Sequence, residues 1–261
     1  MSFAARYGPW AVVAGASEGL GAAFATELAH RGLNLILVAR RPEPLRDLGS
    51  RLATETVTVA ADLATPEGIA ACVEAAAGHE VGLVIANAAY SPIGSFITLD
   101  ASQSDRAVRL NCAGPVQLAH AFLPAMASRG RGGMVIMSSL AGQQGSPPIT
   151  VYAATKAFGA ILAEGLWAEL RPHGVDVLAC IAGAVATPGL ANASASRAPG
   201  TLPPERVVTA ALRGLGRGPR VVPGATMRMS SVLMSRLLPR RAAIAIISRA
   251  SRDLTPPTPS S

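Results

Sequence analysis

The chain alternates short, almost wholly apolar runs with longer stretches in which apolar residues recur at helical spacing. Runs such as WAVVA at 10–14, LNLILVA at 33–39 and VGLVIA at 81–86 carry no polar alternation. That pattern suits strands buried on both faces of a sheet. Further strands are predicted at 57–61, 133–137, 175–180 and 220–223. Helical periodicity fills the gaps at 22–32, 44–53, 66–77, 102–129, 152–171 and 204–215, with Gly32 ending the first helix and Pro124 marking a kink in the longest. Strand and helix taking turns predicts an α/β fold. The expected architecture is a single Rossmann-type doubly wound parallel sheet of about seven strands with helices on both faces.

The junction after the first strand carries the first chemical signal. WAVVA runs straight into GASEGLG, with Gly15, Gly19 and Gly21, and an amphipathic helix follows. A strand, a glycine-rich turn and a helix N-terminus form a cradle in which backbone N–H groups face an anion. Ser17, Glu18 and Leu20 lie in the same turn. The second strand ends at Arg40-Arg41, where an acidic residue would hold the free ribose 2′-hydroxyl of NAD and arginine suits the 2′-phosphate of NADP. NADP is therefore favoured, with NAD as the alternative. Glu18 is a mild argument against a phosphate nearby. Asp62-Leu63 ends the third strand, placed either to reach an adenine edge or to cap the turn before Thr65-Pro66. Asn87 ends the fourth.

A second signal lies between Ser139 and Lys156. Tyr152 and Lys156 are four residues apart, so they share one helix face. Lys156 is the only lysine among 23 Lys and Arg residues. An exposed surface pair would be served as well by arginine, whereas a compact, adjustable point charge would not. The neighbouring ammonium is expected to lower the phenol pKa for general acid–base work, with Ser139 holding the same substrate oxygen. Asn111 falls in the middle of the predicted 102–129 helix, a poor place for asparagine. It is either a tolerated polar residue or one that opens the helix to hold a water near the lysine.

Composition narrows the setting. Half of the 261 residues are hydrophobic and 15% are charged, enough for a large core. Cys72, Cys112 and Cys180 are widely separated and lack metal-ligand spacing, so buried free thiols in a reducing compartment are expected, and no metal site. The N-terminus shows no basic region followed by an apolar h-region, and no apolar run reaches a membrane span, so a soluble, cytoplasmic protein is expected. The net charge of +7 is concentrated after residue 200, where ten arginines face only Glu205 and Asp253. Few aromatics and no recognised binding motif argue against nucleic acid.

Taken together, these residues make the chain resemble the short-chain dehydrogenase/reductase family over about residues 8–224. Residues 14–21 are similar to its T-G-x-x-x-G-x-G motif with alanine for threonine, and 86–89 to its N-N-A-G motif. Residues 182–187 are similar to P-G-x-x-x-T, with alanine for proline and Thr187 retained. Asn111, Ser139, Tyr152 and Lys156 match the family's catalytic set in order and spacing. The resemblance implies an NAD(P)-dependent oxidoreductase in which Tyr152 is the general acid or base and Lys156 lowers its pKa and bonds the nicotinamide ribose. It further implies that Ser139 holds the substrate oxygen and that Asn111 anchors a water leading from Lys156. Tyr152, Lys156 and Thr187 join the cofactor residues on this basis. A homodimer or homotetramer through the two long helices is also implied.

Three domains of behaviour are expected: a catalytic domain at 1–224, a basic amphipathic extension at 225–254 and a disordered tail at 255–261. The extension is read first as a cover for the substrate pocket or a subunit interface, and otherwise as a contact for a membrane or an acidic carrier. The loop 188–203 reads as a lid. Small and apolar residues around 184–195 suit a hydrophobic, lipid-like or steroid-like carbonyl or alcohol. The alternatives are a reductase of 3-oxoacyl thioesters on a carrier or coenzyme A, and a nucleotide-sensing binding protein.

Overall fold

The computed structural model describes residues 2–188, 191, 200–251 and 254. Seven strands form one parallel sheet in the order β3-β2-β1-β4-β5-β6-β7. They are β1 (Trp10–Ala14), β2 (Asn34–Ala39), β3 (Thr56–Ala60), β4 (Val81–Ala86), β5 (Gly132–Ser139), β6 (Val175–Ala182) and β7 (Arg220–Val221). The helices that connect them lie on both faces, as the buried apolar runs require. Odd and even positions of each strand point to opposite sides. Val13, Leu37, Ile85 and Met137 meet Phe24 and Leu28 of α2 (Gly19–His30) and Leu45 of α3 (Pro42–Gly49). Val12, Ile36, Val84 and Ile136 meet Cys72 of α4 (Pro66–Ala75) and, C-terminal to β4, two long helical stretches.

The first long stretch differs from the single kinked helix expected. It comprises α5 (Ala101–Val108), a π-helical turn at Arg109–Ala113 and α6 (Gly114–Arg129). The pattern breaks around Asn111, whereas Pro124 lies inside α6. A π turn adds one residue to the helix, and such turns gather at functional sites. The second stretch, α7 (Thr150–Leu170), is unbroken.

Strands β5 and β6 are longer than expected, ending at Ser139 and Ala182, which pair with one another. Alanine at 182 keeps the backbone N–H that proline would lack. The short α1 (Phe3–Tyr7), absent from the sequence reading, is held by Arg6 and Tyr7, which both donate to Asp176 Oδ2 at 2.7 Å. Past β7 the chain forms a helix at Ala225–Val232, a π-helical turn at Leu233–Leu237 and a helix at Arg240–Ala250. No helix among the described residues is long and apolar enough to cross a membrane. The tail 255–261 and most of the loop 188–203 lie outside the described residues.

Candidate active site

The sheet order places a switch point between β1 and β4, where successive connections leave in opposite directions. In such sheets the crevice at the strand C-termini is the binding site. The crevice here is a groove of about 360 Å³ between the turn after β1 and the ends of β2, β3 and β4. Gly15, Ser17, Glu18, Gly19 and Leu20 line one side, Arg40, Asp62 and Leu63 the far end, and Asn87 and Thr187 the near end. Gly15 has φ +74°, and a Cβ on it would lie 2.8 Å from the Ala88 Cα. Only glycine gives that backbone both its conformation and its close approach. The Asn87 amide donates to the carbonyls of Ala14 and Gly15 at 3.3 and 3.1 Å, tying β4 to the turn.

Gly21 does not line the groove. It lies beneath it, where a Cβ would sit 1.9 Å from the Gly15 carbonyl oxygen, so its role is to let α2 close against the turn. Tyr152 and Lys156 also lie outside this groove's lining.

The charged residues around the groove divide by partner. Arg41 pairs with Glu18 at 2.7 Å, so that carboxylate faces a cation instead of the cradle. Arg40 is exposed and has no ion pair among the described residues. Asp62 accepts from the Ala64 N–H at 3.1 Å, which caps the turn, and pairs with Arg106 of α5 at 2.7 Å. Burial works to raise its pKa, but the Arg106 and Ala64 hydrogen bonds outweigh it and hold the carboxylate below its ordinary value.

The second cluster forms where β5, the 3₁₀ turn Leu140–Gln143 and α7 meet. Ser138 and Ser139 point opposite ways. The Ser138 hydroxyl is buried and donates to the Lys156 carbonyl at 2.7 Å, whereas the Ser139 hydroxyl caps the turn by accepting from the Ala141 N–H at 3.2 Å and faces Tyr152. Lys156 is buried. Its Nζ donates to the Met137 carbonyl at 2.9 Å and lies 5.4 Å from the centre of the Tyr152 ring.

The electrostatics differ from the expectation that Lys156 lowers the Tyr152 pKa. Burial holds the phenol above its ordinary value, and only the Ser139 hydrogen bond opposes it. Burial also moves the lysine, whose pKa falls to about 8, against a weaker opposing pull from Cys112. Desolvation is the larger influence at both groups. At neutral pH the site therefore holds a protonated phenol beside an ammonium.

Asn111 is 4% exposed and its amide is occupied. It accepts from the Tyr90 N–H at 2.8 Å and donates to the Tyr90 carbonyl at 2.8 Å and to Thr155 Oγ1 at 2.9 Å. The side chain thus bridges the segment after β4 to α7. Thr155, which also donates to the Tyr152 carbonyl at 2.8 Å, and Tyr90 were not singled out from the sequence. Thr155 adjoins Lys156 and was open to notice there, but nothing local links Tyr90 to a residue 21 positions away.

The chain past β7 covers this cluster. Gln143 Nε2 donates to Ser231 Oγ at 2.6 Å, and Arg240 donates to the Gln143 carbonyl at 2.7 Å. Met227 lies over Gly183, where a Cβ would come within 2.6 Å of its sulfur.

A family model described as short chain dehydrogenase matches residues 9–198. The chain belongs to that family. A very-long-chain 3-oxoacyl-CoA reductase of Podospora anserina is 35% identical over 81% of this chain and 64% of its own length. A 7beta-hydroxysteroid dehydrogenase of Clostridium sardiniense is 32% identical over 72% of this chain and 74% of its own. The chain thus spans less than two thirds of the fungal reductase. Among solved structures, one from work on 7beta-hydroxysteroid dehydrogenase stereoselectivity has a TM-score of 0.88 at 26% identity, covering 95% of this chain and 99% of that one. A short-chain dehydrogenase of Sphingobium yanoikuyae in complex with NADPH has a TM-score of 0.77 at 31% identity, covering 88% and 96%. The family is one of NAD(P)-dependent oxidoreductases.

Proposed function

We propose that the protein is an NADP(H)-dependent oxidoreductase that interconverts a carbonyl and a secondary alcohol on an apolar substrate. The observation that carries this reading is the meeting of Ser139, Tyr152 and Lys156 at the strand C-termini beside a glycine cradle. The cradle would hold the dinucleotide phosphates at the N-terminus of α2, and Arg40 would meet the 2′-phosphate. The cofactor would supply the hydride. Ser139 would hold the substrate oxygen and Tyr152 would pass it a proton, a role that suits a phenol kept protonated by burial. Lys156 would sustain positive charge next to the phenol. Asn111, through Tyr90 and Thr155, positions this set. The similarity to reductases of long acyl chains and to a steroid dehydrogenase supports an apolar substrate.

The test is oxidation of NADPH and of NADH across aliphatic, aromatic, steroidal and 3-oxoacyl-thioester carbonyls, with Tyr152→Phe beside the wild type. Turnover should fall by about 10²–10⁴ in the variant while NADPH still binds. Binding of both cofactors with no turnover of any carbonyl or alcohol would replace this reading with that of a nucleotide-sensing protein.

A second reading is reduction of a 3-oxoacyl thioester docked through the C-terminal arginines. It is favoured by Arg228, Arg236 and Arg241, which are exposed and without ion pairs among the described residues. Carrier docking would make activity fall steeply as salt is raised. A homo-oligomer through α5–α6 and α7 is proposed as well, supported by exposed Val108 and Phe158 on those helices.

A further inference from the structure

A second cavity, of about 430 Å³, lies behind the turn that carries Ser139. It is separate from the nucleotide groove. Its inner end is made by Ser138, Ser139 and Ile181 at the ends of β5 and β6, and its side walls by Ala157, Ala160 and Val222. The outer wall is the C-terminal segment, with Val232, Ser235 and Arg236, and Ile161 stands at the mouth, 63% exposed. The volume falls within the range of ligand pockets, and apolar walls with a few polar groups at one end are their usual build.

Charge at the cavity is unequally satisfied. Arg220 is paired with Glu164, which leaves that pair neutral. The Ser231 hydroxyl accepts from Gln143, and the Ser235 hydroxyl donates to the Ser231 carbonyl at 2.7 Å. Arg236 is exposed and has no ion pair among the described residues, so one positive charge remains at the outer edge of an apolar void.

We propose that this cavity binds an aliphatic chain ending in an anion, with the chain between α7 and the C-terminal segment and the carboxylate or phosphate on Arg236. Such a ligand has two sources. It is the distal part of the enzyme's own substrate, which rests on the reductase reading and extends it to anionic lipids, or it is a separate lipid anion that presses on the back of the Ser139 turn.

The test uses non-reactive probes, so it does not depend on catalysis. Decanoate and 1-decanol are titrated below their aggregation limits into the full-length protein by calorimetry. Decanoate should bind about tenfold more tightly than decanol, the usual margin of a charge-assisted hydrogen bond. Arg236→Gln should bring decanoate to the level of decanol and leave decanol unchanged. Ala157→Leu, and separately Val232→Phe on the outer wall, should abolish binding of both while NADPH binding is retained. Absence of decanoate binding, or an unchanged preference in Arg236→Gln, would overturn the proposal. So would loss of binding in Leu237→Ser, a residue 69% exposed on the open surface, with none in the two filling variants, since that pattern marks adsorption to the outside of the segment. Competition of decanoate against the carbonyl substrate assigns the site to the substrate's own tail, and non-competitive behaviour assigns it to a separate ligand.

Discussion

Replacing Asn111 with alanine separates a structural role from a chemical one. The buried amide makes three hydrogen bonds, two to the backbone of Tyr90 and one to Thr155. Truncation leaves the half-buried Tyr90 N–H and carbonyl without partners, at about 1 kcal/mol each, and loses about one more for the Thr155 contact. Thr155 itself still donates to the Tyr152 carbonyl. The sum is about 3 kcal/mol, which for a chain of this size lowers Tm by about 6–12 °C. Thr155→Val, which removes one of the three contacts together with the bond from Thr155 to the Tyr152 carbonyl, should cost about 1–2 kcal/mol. Because Tyr90 follows Asn87–Ala89 at the groove, Asn111→Ala should also raise the KM for cofactor. The measurements are thermal denaturation by circular dichroism and steady-state kinetics on the same preparations. If Asn111→Ala keeps the wild-type Tm within about 1 °C while turnover collapses, the bridging argument is wrong and the residue acts on the chemistry directly.

The remaining expectations are more local. Lys156 has its pKa depressed to about 8 by burial, so between about pH 8 and 10.5 the unfolded chain holds a proton that the folded protein has released. Its contribution to stability therefore rises with pH across that window, by up to about 3 kcal/mol, and urea melts of Lys156→Met should lack this slope. Arg40→Asp should weaken NADPH binding by about tenfold or more and leave NADH nearly unaffected, read by fluorescence titration, because Arg41 is already engaged by Glu18. Equal losses for both cofactors would show that Arg40 does not meet a 2′-phosphate. Gly21→Ala would drive a Cβ into the Gly15 carbonyl and should abolish cofactor binding, with a folded protein of wild-type affinity counting against that packing.

The sheet was legible because its strands are buried on both faces and so appear as unbroken apolar runs. The glycine loop was legible because backbone approach demands glycine at fixed spacing. The pairing of Tyr152 with Lys156 was legible because helical neighbours are set by local geometry. Strand alternation separates Ser138 from Ser139: one hydroxyl is turned inward to the Lys156 carbonyl and the other toward Tyr152. Other features depend on residues brought together from distant parts of the chain. The Asn111–Tyr90–Thr155 bridge, the Arg106–Asp62 pair and the Gln143–Ser231 contact join segments 21 to 88 positions apart. No local pattern encodes them. The same holds for the acid–base state of the site: four-residue spacing placed an ammonium beside a phenol, but burial by the assembled fold moved both pKa values, the phenol up and the lysine down. Sequence alone determined which groups are present and which near neighbours they have. Tertiary structure decided their solvation and their distant partners, because desolvation and long-range contact arise only once the sheet, α7 and the C-terminal segment have closed around them.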